Sequence, residues 1–403
     1  MSGRSSAMTA PARAYRLAGI DMLRGLVIVI MAIDHVRDYV MVGAEQDPMA
    51  NPDIDAALFF TRWVTHFCAP VFMFLAGTSA GLMAARKTPS ELGRFLLTRG
   101  LWLVAIEATV VATAWTFAPW GLAALDGAVL VPMAVIWAIG ASMVVLAGAQ
   151  FLGARACLIG GALIVAGHNL LDPVWPATNG ILDTMHPWWV ALHAQMGIAA
   201  PPFLVVFVYP VLPWIGVMLL GYGAAGLFQD APARRDARLL AWGGAVTAAF
   251  VVLRLADVYG DPNPWQAGAS PVRTVIDFLN VTKYPPSLDY LLMTLGPSAM
   301  LCAVADRLPD ALRSRLVVFG RVPFAFYVAH LYLIHALAVG LGVAQGFDAG
   351  QLLTLSPFFP KGYGLSLPGV YLVWAFVVVS LYPFCAWVAE VKARRRDWWL
   401  SYL

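Results

Sequence analysis

The sequence predicts an all-α, polytopic membrane helix bundle with about ten transmembrane helices, and three observations support this. Hydrophobic residues make up 60% of the 403 residues and charged residues only 12%, whereas about a quarter of an average soluble domain is charged. Apolar stretches long enough to span a bilayer, about 20 residues, recur along the chain. The loops between them are rich in Pro, Gly and charge. A soluble domain is therefore excluded, and the small net charge of +3 indicates no nucleic-acid partner.

The predicted spans form one membrane domain with a short tail at each end. The domain runs from residue 19 to residue 390, the N-terminal tail covers 1–18 and the C-terminal tail covers 391–403. Because ten is an even number, both tails lie on the same side of the membrane. The spans cover residues 19–41, 61–84, 97–118, 128–150, 155–171, 203–228, 237–256, 286–306, 316–341 and 370–390.

Basic residues are distributed unequally between the two sides of this topology. Of the 26 Lys and Arg residues, 19 fall on the side of the tails and six on the opposite side, with Arg24 inside the first span. Because loops rich in Lys and Arg remain in the cytoplasm, both termini are predicted to be cytoplasmic. Arginine far outnumbers lysine and alanine is abundant, which is typical of a GC-rich bacterial genome. The expected location is the bacterial inner (plasma) membrane, in contact with membrane lipid.

Ionisable residues concentrate in the first predicted span, where charge is costly and usually marks a functional or paired group. Fourteen residues separate Asp21 from His35, almost four helical turns, so both lie on one face about 21 Å apart. One face of this helix therefore links the two membrane surfaces. Two structural explanations stay open: a local ion pair between Asp21 and Arg24, and a hydrogen bond from His35 to a neighbour.

Six of the seven histidines fall at or beyond the outer ends of the predicted spans, which suggests an outward-facing polar pocket. The exception, His330, lies nearer the middle of its span. No two histidines have the i,i+4 spacing of a helical ligand pair, so no metal site is expected. The four cysteines lie in or beside apolar stretches and are expected to be buried hydrophobes. The six outer histidines are His35, His66, His168, His186, His193 and His335.

Several stretches together resemble a known family, the membrane acyltransferases related to heparan-alpha-glucosaminide N-acetyltransferase, in its bacterial branch. They extend from about residue 17 to residue 341. Together they are specific for this bacterial branch, although each stretch alone would be a weak match. The matching stretches are IDMLRGLVIVIMAIDHVRDY, THFCAPVFMFLAGTSAG, VIWAIGASMVVLA, YPVLPWIGVMLLGY, KYPPSLDYLLMTLGP and GRVPFAFYVAHLYLIH.

The resemblance implies transfer of an acetyl or related acyl group from cytoplasmic acyl-CoA, with acetyl-CoA expected, to an extracytoplasmic saccharide or similar acceptor. A wider group of similar membrane O-acyltransferases shares the D-x-L-R-G opening and a histidine near the outer end of the first helix, a position that His35 occupies. Those proteins also carry paired arginines that are thought to hold the phosphates of the coenzyme, and Arg94 and Arg99 are the nearest match here. The lysosomal enzyme has its proposed catalytic histidine between the first two helices, but this chain has no histidine from 36 to 65.

These considerations assign roles to ten residues. His35 is the first candidate for the catalytic base and His66 the second, because imidazole titrates near neutral pH, and either Asp34 or a carboxylate from another helix is expected to orient His35. The coenzyme phosphates are expected at Arg94, Arg99 and Arg321, since guanidinium presents fixed donors to phosphate. No metal is expected, and a homodimer stays open. The residues assigned to acceptor binding are Arg37, Asp289, His330 and His335.

Two other classes of protein remain as alternatives. A transporter or flippase for a lipid-linked or small polar solute would use the same buried charges as a relay. A non-catalytic membrane scaffold would leave those charges without a role. Binding of coenzyme A by the purified protein would separate the enzyme from the transporter.

Overall fold

The computed structural model describes residues 12–44, 48–51, 53–173, 180–181, 187–395, 397 and 400. It confirms the all-α, polytopic bundle. The helices are α1 (Ala12–Val40), α2 (Ala56–Thr65), α3 (Cys68–Ala84), α4 (Pro89–Ile106), α5 (Ala112–Thr116), α6 (Val135–Ala149), α7 (Ala154–Gly167), α8 (Pro187–His193), α9 (Leu212–Gly223), α10 (Pro232–Ala256), α11 (Pro271–Leu279), α12 (Leu288–Val304), α13 (Asp310–Arg321), α14 (Pro323–Ala344) and α15 (Leu367–Arg394). A π-helical turn, Glu107–Val111, joins α4 to α5.

Eight helical segments within the described residues are long and apolar enough to cross a membrane. The other two predicted spans correspond to α1 and α12. Helix α1 has 29 residues but carries several charges, and α12 is apolar but has only 17 residues. The eight segments are Ala56–Ala84, Pro89–Thr116, Val135–Leu152, Ala154–Leu171, Leu212–Gln229, Pro232–Ala256, Pro323–Ala344 and Leu367–Arg394.

A small four-stranded sheet was not predicted. Its strands are β1 (Val129–Met133), β2 (Gly180–Ile181), β3 (Met196–Ala200) and β4 (Phe203–Phe207), in the order β1-β4-β3-β2. Strand β4 pairs in parallel with β1 and antiparallel with β3. The predicted spans 128–150 and 203–228 therefore start too early, because short apolar runs rich in Val fit a buried strand as well as a helix.

Three further boundaries differ from the prediction. The span 316–341 is two helices, because Pro323 has no backbone N–H to continue α13 and instead starts α14. Helix α1 begins inside the predicted N-terminal tail, and α15 extends into the predicted C-terminal tail. The rest of both tails lies outside the described residues, except positions 395, 397 and 400.

Glycines allow the helices of the bundle to approach one another closely. A Cβ added to Gly25 on α1 would lie 1.8 Å from the Leu316 carbonyl oxygen on α13, and one added to Gly320 would lie 1.7 Å from the Asp21 carbonyl oxygen. Glycines also face each other at the α4–α6 crossing, where Gly100 and Gly140 meet. Close packing at small residues is typical of membrane helices. Helix α1 is thereby held against α13 at the level of Arg24.

Candidate active site

Four basic side chains converge on one cavity, and we call the part of the bundle that holds them the basic end. The cavity has a volume of about 300 Å³ and lies between α1, α3, α4, α6 and the α13–α14 junction. Its basic lining residues are Arg24, Arg99, Arg321 and Lys392.

Arg24 is held in place by three helices at the basic end. Its guanidinium donates to the Asp21 carboxylate at 3.1 Å and to the Ser79 hydroxyl at 3.1 Å. It also approaches the Gly320 carbonyl at 3.4 Å. The predicted ion pair between Asp21 and Arg24 is therefore present. The Lys392 ammonium donates to the Arg321 carbonyl at 3.3 Å, which ties the last helix to the same place.

The predicted coenzyme arginines separate into two groups. Arg99 and Arg321 line the cavity, whereas Arg94 is exposed on α4 and is not part of its lining. The cavity thus brings together Arg99 and Arg321, two of the three arginines that were predicted to bind the coenzyme. Two further cations, Arg24 and Lys392, were not predicted for this role.

Besides the cations, the cavity is lined mainly by apolar side chains and by Tyr327. Met31 lines it one helical turn before His35 on α1, and Leu103 and Ile136 line it from α4 and α6. The Tyr327 ring centroid lies 6.0 Å from that of His35. An elongated, mostly apolar substrate arm with a charged head would match this sequence of cations and apolar wall.

His35 and His330 form a hydrogen bond, and the partners of their ring nitrogens determine which nitrogen of each ring carries the proton. His330 Nδ1 lies 2.9 Å from the Phe326 carbonyl oxygen, so Nδ1 must donate and Nε2 is left as an acceptor. His35 Nδ1 lies 2.7 Å from that Nε2 and therefore donates to it. The remaining nitrogen, His35 Nε2, is then unprotonated and makes no hydrogen bond within the described residues. His35 is half-buried and His330 is fully buried.

Two hydrogen-bond donors lie beside His35 without partners. The Tyr327 hydroxyl and the Trp115 indole N–H are neighbours, and both atoms are buried without a hydrogen bond of normal geometry. The Trp115 ring meets the His35 ring edge-on at 5.0 Å. Unpaired buried donors are costly unless something supplies an acceptor. Since both rings pack against the His35 ring, both donors belong to the immediate surroundings of His35.

An ionic cluster lies on the far side of His35 from the basic end. The Asp34 carboxylate accepts from Arg37 at 3.2 Å and from Arg62, and it lies 3.8 Å from the Lys283 ammonium. Arg37 also donates to Asp38 at 2.5 Å. The interpretation of Asp34 as the residue that orients His35 is therefore wrong, because its oxygens face cations and His330 fills that role. Arg37, assigned to the acceptor, is likewise buried between two carboxylates.

His66 lies beside the same ionic cluster, at the end of α2. It is buried, its Nδ1 has no hydrogen-bond partner in the described part of the chain, and its ring packs against Tyr290 with centroids 5.4 Å apart. Lys283 and Arg62 lie within electrostatic range of both His66 and His35. No hydrogen bond joins the two histidines within the described residues.

The remaining residues assigned to the acceptor do not join this cluster. His330 contacts His35 rather than a substrate path. Both ring nitrogens of His335 face backbone carbonyls, of Ala114 at 3.0 Å and Leu352 at 2.8 Å, and its ring stacks on Phe117 at 3.8 Å. His335 therefore clamps the loop after α14. Asp289 is buried at the start of α12 against Gly260, with Oδ1 unpartnered.

The other outer histidines form a structural contact. His168 Nδ1 lies 3.3 Å from His193 Nε2, and burial lowers the pKa of His193 below its usual value, so it is neutral. His186 lies outside the described residues. Glu107, deep in the bundle, accepts from the backbone N–H groups of Ala134 and Trp137 at 3.3 and 3.0 Å, which caps α6. No group of three His, Cys, Asp or Glu side chains in the described ranges could hold a metal ion.

Sequence reasoning missed five residues that line or adjoin this site. Tyr327 and Trp115 gave no signal because a single aromatic residue in an apolar helix resembles ordinary core. Lys283 carried a signal, since it is one of only four lysines and stands next to two prolines. The other two, Arg24 and Lys392, were recognised only as a local ion pair and as part of the basic tail.

Fold and site together define a class: a multi-pass membrane protein whose buried histidine pair adjoins a cavity with a cationic mouth. Residues 16–254, more than half of the chain, match the family model described as heparan-alpha-glucosaminide N-acetyltransferase, catalytic. The chain belongs to this family of membrane acetyltransferases, which confirms the resemblance seen in the sequence. No curated protein matches the chain. The matched region contains His35, His66 and Arg99 but ends before Lys283, Tyr327 and His330.

Proposed function

We propose that this protein transfers an acetyl or related acyl group from acyl-CoA at the basic end to an acceptor at the opposite end, an extracytoplasmic saccharide or similar molecule. One observation carries the proposal: a single cavity runs from four cations to the Tyr327 ring beside the His35–His330 pair. The basic end would face the cytoplasm, where acyl-CoA is made.

The donor half of the proposal depends on the cavity. Arg24, Arg99, Arg321 and Lys392 would bind the phosphates of the coenzyme, because guanidinium and ammonium groups form strong charge-assisted hydrogen bonds with phosphate. The apolar neck between Met31 and Ile136 would then hold the pantetheine arm. The thioester would then lie near Tyr327, which lines the same cavity.

The chemical half of the proposal depends on His35 Nε2. This nitrogen would take the proton from an acceptor hydroxyl or amine as that group attacks the acyl carbon. A bond from the acceptor to the acyl carbon forms, the carbon–sulfur bond breaks, and the leaving thiolate receives the proton from the same nitrogen. His330 acts as a positioning residue, because its Nε2 fixes which tautomer of His35 is present.

The two unpaired donors complete this chemistry. Negative charge develops on the acyl oxygen as the acceptor attacks, and fixed donors aimed at that oxygen stabilise it. The Tyr327 hydroxyl and the Trp115 indole N–H are buried, are neighbours of each other, have no other partner within the described residues, and belong to rings that pack against His35. They would therefore bind the acyl oxygen.

The acceptor half depends on the partly exposed groups beyond His35. Asp38 and Lys283 retain access, while Arg37 and Arg62 are buried beneath them. His66, with its unpartnered Nδ1, adjoins the same cluster. Polar acceptor hydroxyl or amine groups would be bound here.

Binding of coenzyme A tests the donor half with a matched pair of variants on one helix. Titration calorimetry with purified protein should show Arg99→Ala weakening coenzyme A binding about tenfold, equivalent to about 1.4 kcal/mol. Arg94→Ala, an exposed arginine outside the cavity, should bind like the wild type. Equal effects of the two variants, or none from either, would remove the cavity as the donor site.

A further inference from the structure

A second, larger cavity lies on the other side of α3 from the candidate active site. Its volume is about 720 Å³, and its lining is almost entirely apolar, with Ser298 as one of the few polar side chains. It separates two tightly packed helix pairs. Gly161 and Gly216 allow α7 and α9 to touch, and Gly243 and Gly296 do the same for α10 and α12.

The cavity is a wedge whose end away from the basic end is closed by hydrogen bonds. Away from the basic end, the Tyr259 hydroxyl donates to the Ala166 carbonyl at 2.5 Å, and the Leu288 N–H donates to Asn169 Oδ1 at 2.9 Å. These bonds join the α10–α12 side to the α7 side. Towards the basic end the lining of the wedge includes Leu227 and Phe228 of the short connection between α9 and α10, and the exposed Trp242 of α10 stands at its rim.

The length of the wedge matches one leaflet of a bilayer. On α12 its lining runs from Leu291 to Cys302, which is about 17 Å at the rise of an α-helix. Half of a bilayer's hydrocarbon core is about 15 Å. An acyl chain of a lipid in the leaflet at the basic end would thus fill the wedge over its whole length.

The end of the wedge at the starts of α7 and α10 carries excess positive charge. Four arginines and two carboxylates lie at or just before these helix starts and give a net charge of +2. Arg235 and Arg238 are paired with Asp236 and Asp230. The other two arginines, Arg155 and Arg234, are exposed and make no ion pair within the described residues.

We propose that the wedge binds an anionic phospholipid, with one acyl chain between the helix pairs and its phosphate at Arg155 and Arg234. Charge decides the class of lipid, since a juxtamembrane arginine contributes about 1 kcal/mol towards an anionic surface. The floor of the wedge includes Leu23, Phe74 and Leu75. These residues belong to the helices that carry Arg24 and Ser79, so a bound lipid supports the wall between the two cavities.

Native mass spectrometry tests the proposal on full-length protein purified from vesicles of phosphatidylglycerol and phosphatidylcholine in equal amounts. We expect one retained phosphatidylglycerol per chain and about a tenfold loss of retention in the Arg155→Ala/Arg234→Ala double variant. Arg315→Ala removes an exposed arginine of α13 outside the wedge and should retain lipid normally.

A second pair of variants tests the apolar part of the site. Ala162→Phe fills the wedge and should abolish retention of either lipid, whereas Ala375→Phe adds the same bulk to an exposed position of α15 and should change nothing. Equal retention of both lipids, or retention unaffected by the double variant, overturns the proposal. So does a dimer that Ala162→Phe dissociates, which would assign the wedge to a second copy. If Ala162→Phe fails to fold, the arginine variants still decide the question.

Discussion

The His35–His330 hydrogen bond gives two histidines of one site different tasks. His35 has a ring nitrogen that can accept a proton, whereas both nitrogens of His330 are occupied. His35→Ala should therefore abolish transfer while coenzyme A binding persists. Release of the coenzyme A thiol from acetyl-CoA, in membranes that contain the acceptor, measures the transfer. Activity that survives in His35→Ala and is lost in His66→Ala would reverse the two assignments.

The positioning role of His330 can be separated from a structural role by rescue. His330→Ala removes the acceptor of the His35 Nδ1–H bond, so the wrong tautomer becomes populated, and kcat should fall about 100-fold, the lower end of the contribution of general acid–base catalysis. The KM for acetyl-CoA should stay constant. His330→Gln places an oxygen near the position of Nε2 and should recover part of kcat. A loss shared equally by both variants, with lower thermal stability, would make His330 merely structural.

The Tyr327 hydroxyl offers a more conservative test. Tyr327→Phe keeps the ring and removes one donor to the acyl oxygen, so kcat should fall about 100-fold, the usual effect of losing one such donor. Since the hydroxyl makes no hydrogen bond within the described part of the chain, the thermal midpoint should not fall. Tyr332→Phe, which loses a bond to the Val110 carbonyl, is the matched control and should keep full kcat. Unchanged kcat in Tyr327→Phe would exclude the hydroxyl from the reaction.

The close crossing of α1 and α13 allows a prediction about the stability of the bundle. Gly25→Ala would place a methyl group 1.8 Å from the Leu316 carbonyl oxygen, so α1 and α13 must separate. We expect a loss of about 1–3 kcal/mol in unfolding free energy, as for other overpacked sites. Gly19→Ala lies on the same helix with nothing within 4 Å of the new methyl group. It should be neutral or stabilising, because Ala favours helix over Gly by about 1 kcal/mol.

Thermal unfolding in detergent measures both glycine variants. The difference between them isolates the crossing, since the two substitutions share chemistry and helix. Similar midpoints for the two variants would show that α1 and α13 can move apart without loss.

Elements differ in how well the sequence predicts them. Long apolar helices such as α10 and α15 follow from composition and length alone. The strands β1 and β4 did not, because five apolar residues that precede a helix extend its hydrophobic pattern without any change of period. The π-helical turn at Glu107 also has no sequence signal. It depends on Glu107 capping α6, a contact between residues 27 to 30 positions apart.

The orientation of the whole molecule is the prediction on which the direction of transfer depends. All four native cysteines are buried, so an impermeant maleimide should label the wild type weakly. Ala267→Cys, exposed in the loop before α11, should be labelled in intact cells, and Ser314→Cys, exposed on α13, only after permeabilisation. The reverse pattern would place the basic end outside and remove the proposed donor site from the supply of acyl-CoA.

The sequence predicts least well which residues, distant along the chain, come together at the candidate site. The sequence offers His35 as a candidate because it matches the histidine that similar membrane O-acyltransferases carry near the outer end of the first helix. His330 lies 295 positions away, and nothing in its local pattern relates it to His35. The same holds for Asp34, whose neighbours in sequence suggested a role beside His35 but whose partner Arg62 comes from another helix. Pairing across helices depends on packing, which a single sequence does not record.

The hydrogen-bonded chain that begins at His35 ends at the Phe326 carbonyl, and this ending has an electrical consequence. A carbonyl oxygen accepts a hydrogen bond but has no proton to pass on, so the chain is not a proton wire. A proton that His35 Nε2 takes up must leave from the same nitrogen. In the transfer, the acyl group moves outward to the acceptor and replaces a proton, and that proton moves inward to the coenzyme A thiolate. The acyl group counts as one positive charge in this exchange, so no net charge crosses the membrane. Under the proposed function, the protein thus operates without dissipating the proton gradient and independently of the membrane potential.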